Sequence, residues 1–378
     1  MKKIRVCDVV RNSVWHDPRV IKQIDEYDRN GFDLYVVGEE DRRYEKEEIN
    51  KLKGFVTIVK KNKYKKQNKL NFLLREIHTY KSLVKEIIKC KPDIIHANDL
   101  NALLPAYLAS KKIKCKVVFD SHEIFTENLG IVSSFFWRTF WKIVEKHIIK
   151  KVDLVVSVSN AAADYLKKKY NISKPIVVTN CTKKQPIDNN VDKSDKFEVL
   201  NHGQFYSGRG YELMVESAKI TNENNVNYVL RGFGRLEEQL KKSVAENNLS
   251  NVTFAPPVKT TELISYAKKS SVGVAITLPI NINFILSVSN KIFEYITAGL
   301  PVIMSDIPEH RYLNGKYNFG IILKENTPEE LKNAVLLLYN NTELYEMYSK
   351  NAIIAANELN WETEFQKLIV AERNLFDV

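Results

Sequence analysis

The stretch Ser289 to Pro301 reads SNKIFEYITAGLP and combines two kinds of chemistry. Ser289 and Asn290 favour a helix N-cap, and Gly299, two positions before Pro301, favours a stop. A helix starting there turns free N–H groups and a positive dipole end toward an anion such as a diphosphate. Glu294, one turn further on, can accept two hydroxyls of a ribose. An amphipathic core helix with Glu294 in solvent fits the same pattern.

Other stretches offer groups for phosphate. In HGQFYSGRGYELMVESA, 202 to 218, Gly203 lets a loop approach a ligand, and Arg209 before Gly210 supplies a guanidinium fork. In RGFGRLEE, 231 to 238, Arg231 can add charge or serve the structure, and Gly232 and Gly234 sit between a strand and a helix. Glu237 replaces the third glycine of a dinucleotide fingerprint, which argues against NAD. In KVVFDSHEIFTEN, 116 to 128, Asp120, Ser121, His122 and Glu123 follow a strand directly. Four hydrogen-bonding side chains at a strand end favour a site, although His122 can also be a satisfied structural residue. Cys7, Cys90, Cys115 and Cys181 lack CxxC spacing, so neither a disulfide framework nor a zinc site is expected.

The elements that must position these groups alternate in period. IRVCDVV, DLYVVG, VTIVKK, DIIHA, KVVFDS and DLVVSVS are separated by helical stretches, and FEVLNHG, NYVLRG, NVTFAP, VGVAIT, PVIMSD and GIILK repeat the scheme. Apolar strands alternating with amphipathic helices predict α/β domains with parallel sheets. With 378 residues the chain is long enough for two. The expected division is 1–183, a polar linker 184–197, 198–358, and a closing helix 359–378. Open α/β sheets bind ligands at the carboxyl ends of their strands, so a site spanning both domains is expected.

No apolar run approaches the roughly 20 residues that cross a bilayer, and Met1-Lys2-Lys3 leads into a strand-like segment, which predicts a cytoplasmic location. Residues 1–190 carry 38 Lys and Arg against 23 Asp and Glu, and the remainder carries 19 against 23. A basic first half suits an anionic partner, or is simply a solvated lysine surface.

The 289–301 stretch resembles the (N/K)-x-F-E-Y/A-x-x-x-G-x-P-V signature of the family-4, GT-B-fold glycosyltransferases. The resemblance implies two Rossmann-like domains facing each other across a cleft, and sugar transfer with retention that needs no metal. It makes Glu294 the ribose contact and places Gly203, Gln204, Arg209, Gly210, Arg231, Gly232, Gly234, Ser289, Asn290 and Lys291 around the donor. Gln204 stands where the family commonly has a second phosphate-binding cation, for which Arg231 can compensate. Leu286 stands where a sugar-contacting acid is usual, with Asn283, Ser287 or Ser289 as substitutes. The 116–128 segment resembles D-x-H-E-x-F-x-E, which makes His122 a contact to the donor sugar. RNSVWHDPRVIKQIDEY, 11 to 27, resembles a D-x-R-V segment, with Asn12 and Ser13 in place of glycines. Arg11 and His16 are candidates there for phosphate or acceptor, and Arg19 for tying the loop down. Asp17, Asp99 in HANDL, and Glu123 complete the acceptor side. Trp361 matches a closing helix that returns to the first domain.

The basic run beginning at Lys60 places six lysines in ten residues before an amphipathic helix, and SSFFWRTFWKIVEKH sets five aromatics beside Arg138 and Lys142. The two can form a surface for anionic lipid or a lipid-linked acceptor; aromatics at this spacing also suit a core. The reading adopted is transfer of a sugar from a UDP- or GDP-sugar to an acceptor hydroxyl in surface polysaccharide or glycolipid assembly. His122, Arg209 and Glu294 are the residues assigned to the reaction, on the inner face of a membrane. A GT-B-fold sugar-nucleotide epimerase and an inactive partner subunit remain alternatives. A nucleic-acid partner is not expected, because the basic run carries no recognised module.

Overall fold

A computed structural model describes residues 3–12, 14, 17–40, 52–60, 69–185 and 193–376. The chain divides into two compact units, one of residues 1–180 with 364–378 and one of residues 181–363. Ser13, His16 and residues 61–68 of the lysine run lie outside the described residues, as does half of the expected linker, 186–192.

The first unit is built on seven parallel strands: β1 Arg5–Val10, β2 Asp33–Glu39, β3 Phe55–Val59, β4 Ile94–Asn98, β5 Lys116–Ser121, β6 Leu154–Ser157 and β7 Ile176–Val177. Their order is β3-β2-β1-β4-β5-β6-β7. Strands covered on both faces need continuous apolar runs, and β4 is buried at every position. The order reverses between β1 and β4, where side chains beyond the strand ends meet. The helix Pro18–Arg29 follows β1, with Pro18 preset for the first turn and Asp17 accepting from the amides of Arg19 and Val20. The closing helix Trp361–Asn374 places Phe365 edge-on to Tyr27, and Glu364 accepts from the Thr179 amide.

The second unit has six parallel strands: β8 Phe197–Gln204, β9 Val226–Phe233, β10 Val252–Ala255, β11 Val272–Ala275, β12 Val302–Ser305 and β13 Gly320–Leu323, in the order β10-β9-β8-β11-β12-β13. Both sheets thus have the Rossmann-like arrangement that the apolar runs predict. The helix Asn290–Thr297 starts after Ser289, and Gly299 stops it with φ +73°. That helix lies on β11 through Tyr295: a Cβ on Gly273 would stand 2.2 Å from the tyrosine ring. Among the described residues, no helix is long and apolar enough to cross a membrane.

A methyl group at Gly273 must push Tyr295 off the sheet. Gly273→Ala is therefore expected to destabilise the second unit by about 1–3 kcal/mol, the usual cost of overpacking. Thermal unfolding followed by circular dichroism checks this, and an unchanged midpoint contradicts it.

Candidate functional site

In the second unit a pocket of about 320 Å³ opens beyond β8 and the N-terminal turn of the helix Asn290–Thr297. Gly203, Gln204, Arg209, Ser289, Asn290, Lys291 and Glu294, all singled out in the sequence, line it together. This is the switch point of the sheet, where β8 separates β9 from β11.

Glu294 is not loose in this pocket. Its Oε2 lies 2.6 Å from Nε2 of His202, a buried residue at the end of β8. His202 is fixed in turn by Tyr295, whose hydroxyl accepts from the His202 amide at 3.2 Å and whose ring lies 4.7 Å from the imidazole. The Nδ1 of His202 is buried with no hydrogen-bond partner among the described residues.

The two cations are held differently. The Lys291 ammonium donates to Asn201 Oδ1 at 2.6 Å and to the Tyr211 hydroxyl at 3.3 Å, and lies over the Tyr211 ring. The Arg209 guanidinium lies over the Phe284 ring, 4.4 Å from its centroid. Neither makes an ion pair with a carboxylate among the described residues. Burial, with Arg209 nearby, pulls the Lys291 pKa down to about 7, and burial also lowers that of Arg209. A pocket with two cations lacking carboxylate partners and an oriented carboxylate can take a polyanion joined to a polyol.

Several candidates serve the frame instead. A Cβ on Gly232, at φ +141°, would fall 1.8 Å from the Gly203 carbonyl oxygen, so this glycine lets β8 and β9 close together rather than admitting a ligand. Gly234 packs against the Phe205 backbone in the same way, and Gly210 caps the helix Tyr211–Lys219. Arg231 donates to the Pro256 carbonyl and stacks on Tyr266. None of these four lines the pocket. His202, Asn201, Tyr211 and Tyr295 were missed: each acts on a partner some 80 to 93 residues away in sequence, which periodicity does not reveal.

At the switch point of the first unit lies a second, buried cluster. Arg19 spans both oxygens of Asp120 at 3.0 Å and donates to the Val178 carbonyl. His122 Nε2 is 3.1 Å from Asn98 Oδ1 and 3.4 Å from Asp120, and its Nδ1 is 3.6 Å from Asp99. Burial alone would raise Asp120, but Arg19, His122 and His96, a buried residue of β4 whose Nε2 is 3.5 Å from Asp120, hold it well below the usual carboxylate range. Burial would lower His122, but Asp99 and Asp120 lift it above its ordinary value. Asp99, at φ +66°, accepts from the His122 amide and is raised by burial to about 6.

Here too some candidates are committed to the protein. Arg11 is clamped by Glu39, Glu76 and Tyr80, which removes it as a phosphate contact. Asn12 donates to Asp17, which caps its helix, and Glu123 accepts from Asn128 at 2.5 Å.

Residues 19–181 match Glycosyltransferase Family 4, and residues 183–354 match Glycosyl transferases group 1. The chain belongs to the family-4 glycosyltransferases. An uncharacterized glycosyltransferase of Methanocaldococcus jannaschii is 26% identical over 246 residues, a match that spans 60% of each chain. Among solved structures of the same fold are sucrose-phosphate synthase from Thermosynechococcus elongatus and HepE from Anabaena in complex with UDP and glucose. The first has a TM-score of 0.76 at 15% identity, covering 99% of this chain and 100% of that one. The second has 0.75 at 15%, with the same coverage. These likenesses are of GT-B architecture.

For this family-4 chain, Asp120→Asn leaves the buried Arg19 guanidinium without its counter-charge, at an expected cost of about 3–5 kcal/mol to the first unit. Because the folded pKa of Asp120 is depressed, its stabilisation is full above the unfolded value of about 3.9 and is lost as pH falls through the folded value. Urea unfolding at pH 7 and pH 3 tests this. A variant as stable as the parent at pH 7 contradicts it.

Proposed function

We propose that the chain transfers a sugar from a nucleotide-diphosphate sugar to an acceptor hydroxyl, and that the 320 Å³ pocket holds the nucleotide. The observation that carries this reading is the convergence of Arg209, Lys291 and the His202-held Glu294 in one pocket. Arg209 and Lys291 face the two phosphates, and Glu294 accepts from the ribose hydroxyls. When the bond from the anomeric carbon to the β-phosphate oxygen breaks, the electron pair stays with the diphosphate. Fixed cations that stabilise this charge lower the barrier without reorganising. In this reading the cations meet the leaving group without a metal, and Lys291 supplies the charge absent at Gln204. His122 is assigned to orienting the sugar, and retention is the expected outcome at the anomeric carbon.

UDP is preferred to GDP because the HepE structure of the same fold holds UDP and glucose. For the acceptor we infer a carbohydrate or lipid-linked carbohydrate of surface polysaccharide or glycolipid assembly, handled at the inner face of a membrane. The basic first half of the chain supports this.

Incubation with labelled UDP-sugars tests the reaction: slow donor hydrolysis without acceptor, and faster release of UDP with one, are expected. Glu294→Ala is expected to weaken UDP binding at least tenfold, since hydrogen bonds to a charged group contribute about 1.5–3 kcal/mol. Unchanged UDP affinity contradicts the assignment, and conversion of one UDP-sugar into its epimer would favour an epimerase.

Lys291 adds a pH signature. Its depressed pKa of about 7 means the empty pocket loses this charge as pH rises through neutrality, while a bound diphosphate holds the proton on. UDP affinity should therefore fall above pH 7, approaching roughly tenfold per pH unit. Titration calorimetry in buffers of different ionisation enthalpy should also show proton uptake. Lys291→Met should bind more weakly and lack this slope; the same slope in both proteins contradicts the role.

A further inference from the structure

One apolar concavity of the first unit belongs to neither polar cluster. In the first unit a groove of about 1140 Å³ runs between the helices Lys69–Cys90, Asp99–Ile113 and Phe135–Ile148. Phe72, Ile77, Leu108, Trp137 and Trp141 are among its walls. Glu76 is its one carboxylate among the described residues, and Arg11 already neutralises it. Lys81, Lys85, Lys89 and Lys112 also line it, and Lys81, Lys85 and Lys112 have no ion-pair partner among the described residues. Beside it, Phe135 is 85% exposed and Phe136, in ring contact with Trp137, is 69% exposed.

Such a surface is costly to leave in water. A groove of this volume exceeds what a compact polar ligand fills. An apolar trough bordered by unpaired lysines is complementary to one chemistry, a hydrocarbon chain carrying an anionic head. Lysines can lay their methylene stems along the chain and present their ammonium groups to the head. Exposed aromatics beside the groove suit the depth of lipid headgroups.

We propose that this groove seats an acyl chain of an anionic membrane lipid, with Lys81, Lys85 and Lys112 on its phosphate and Phe135 and Phe136 inserted alongside. The groove thereby docks the first unit on an anionic leaflet. This deepens the membrane reading given above; the pocket around Glu294 stands or falls separately, by UDP binding.

The test is co-sedimentation with vesicles of phosphatidylcholine alone or mixed with phosphatidylglycerol, together with tryptophan emission. The full chain is expected to partition onto the mixed vesicles and not the neutral ones, with a blue shift that Trp137→Phe reduces. Ile77→Glu with Leu108→Glu places charge in the groove at side chains 43% and 45% exposed, positions the fold tolerates. That variant should lose the blue shift and at least fivefold in partition while keeping its UDP affinity. Lys81→Glu with Lys85→Glu should weaken partition by roughly fivefold or more per lysine. Equal binding to both vesicles, no emission change, or full binding by the groove variant overturns the proposal. So does a dimer in light scattering that the groove variant dissociates without any vesicle binding, which assigns the face to a second copy.

Discussion

The ring of Tyr295 rests on the bare backbone of Gly273, and the arrangement of the second unit's pocket follows from that contact. It seats the helix Asn290–Thr297 on the sheet and brings the tyrosine hydroxyl under the His202 amide. His202 then reaches Glu294, and the carboxylate projects into the pocket with one oxygen already engaged. A side chain fixed through a buried aromatic and a buried imidazole loses little freedom on binding, which makes its hydrogen bonds more effective. The same helix carries Lys291, so one contact sets the place of both the carboxylate and a cation.

The charge pattern of the two switch points differs in a way that suits different tasks. In the first unit Arg19 is saturated by Asp120 and the Val178 carbonyl, and His122 sits among Asn98, Asp99 and Asp120. These groups stiffen one another, and breaking a buried pair exposes an uncompensated charge. In the second unit Arg209 and Lys291 have aromatic and neutral partners instead. Cations partly desolvated and without an ion-pair partner among the described residues are poised for an anion that arrives from outside. The contrast supports assigning the leaving-group charge to the second unit.

Much of this was legible in the chain. Continuous apolar runs such as DIIHA and PVIMSD became buried parallel strands, because sheets covered on both faces leave no polar alternation. Gly299 stopped its helix with a left-handed φ, as local stop chemistry predicts, and Ser289 stands at the other end in extended backbone without a side-chain cap bond. The two-residue strand Ile176–Val177 is too short to show a period in the sequence. Local patterns also placed Gly203, Arg209 and Glu294 at strand and helix ends, but they were silent on pairing. Arg11 looked available until Glu39 and Glu76 closed on it, and Gly232 looked like a ligand loop until its contact with Gly203 was seen. Lys291 was placed at the donor by the resemblance, but its partners Asn201 and Tyr211, 90 and 80 residues away, were not legible.

The central claim is that Glu294 reads the ribose of a nucleotide diphosphate. Its most direct test is a binding cycle by calorimetry, with UDP and 2′,3′-dideoxy-UDP against the parent chain and Glu294→Gln. Removing the hydroxyls should weaken binding to the parent by tenfold or more, and the variant should bind both ligands alike. Equal affinity of the parent chain for the two ligands would contradict it.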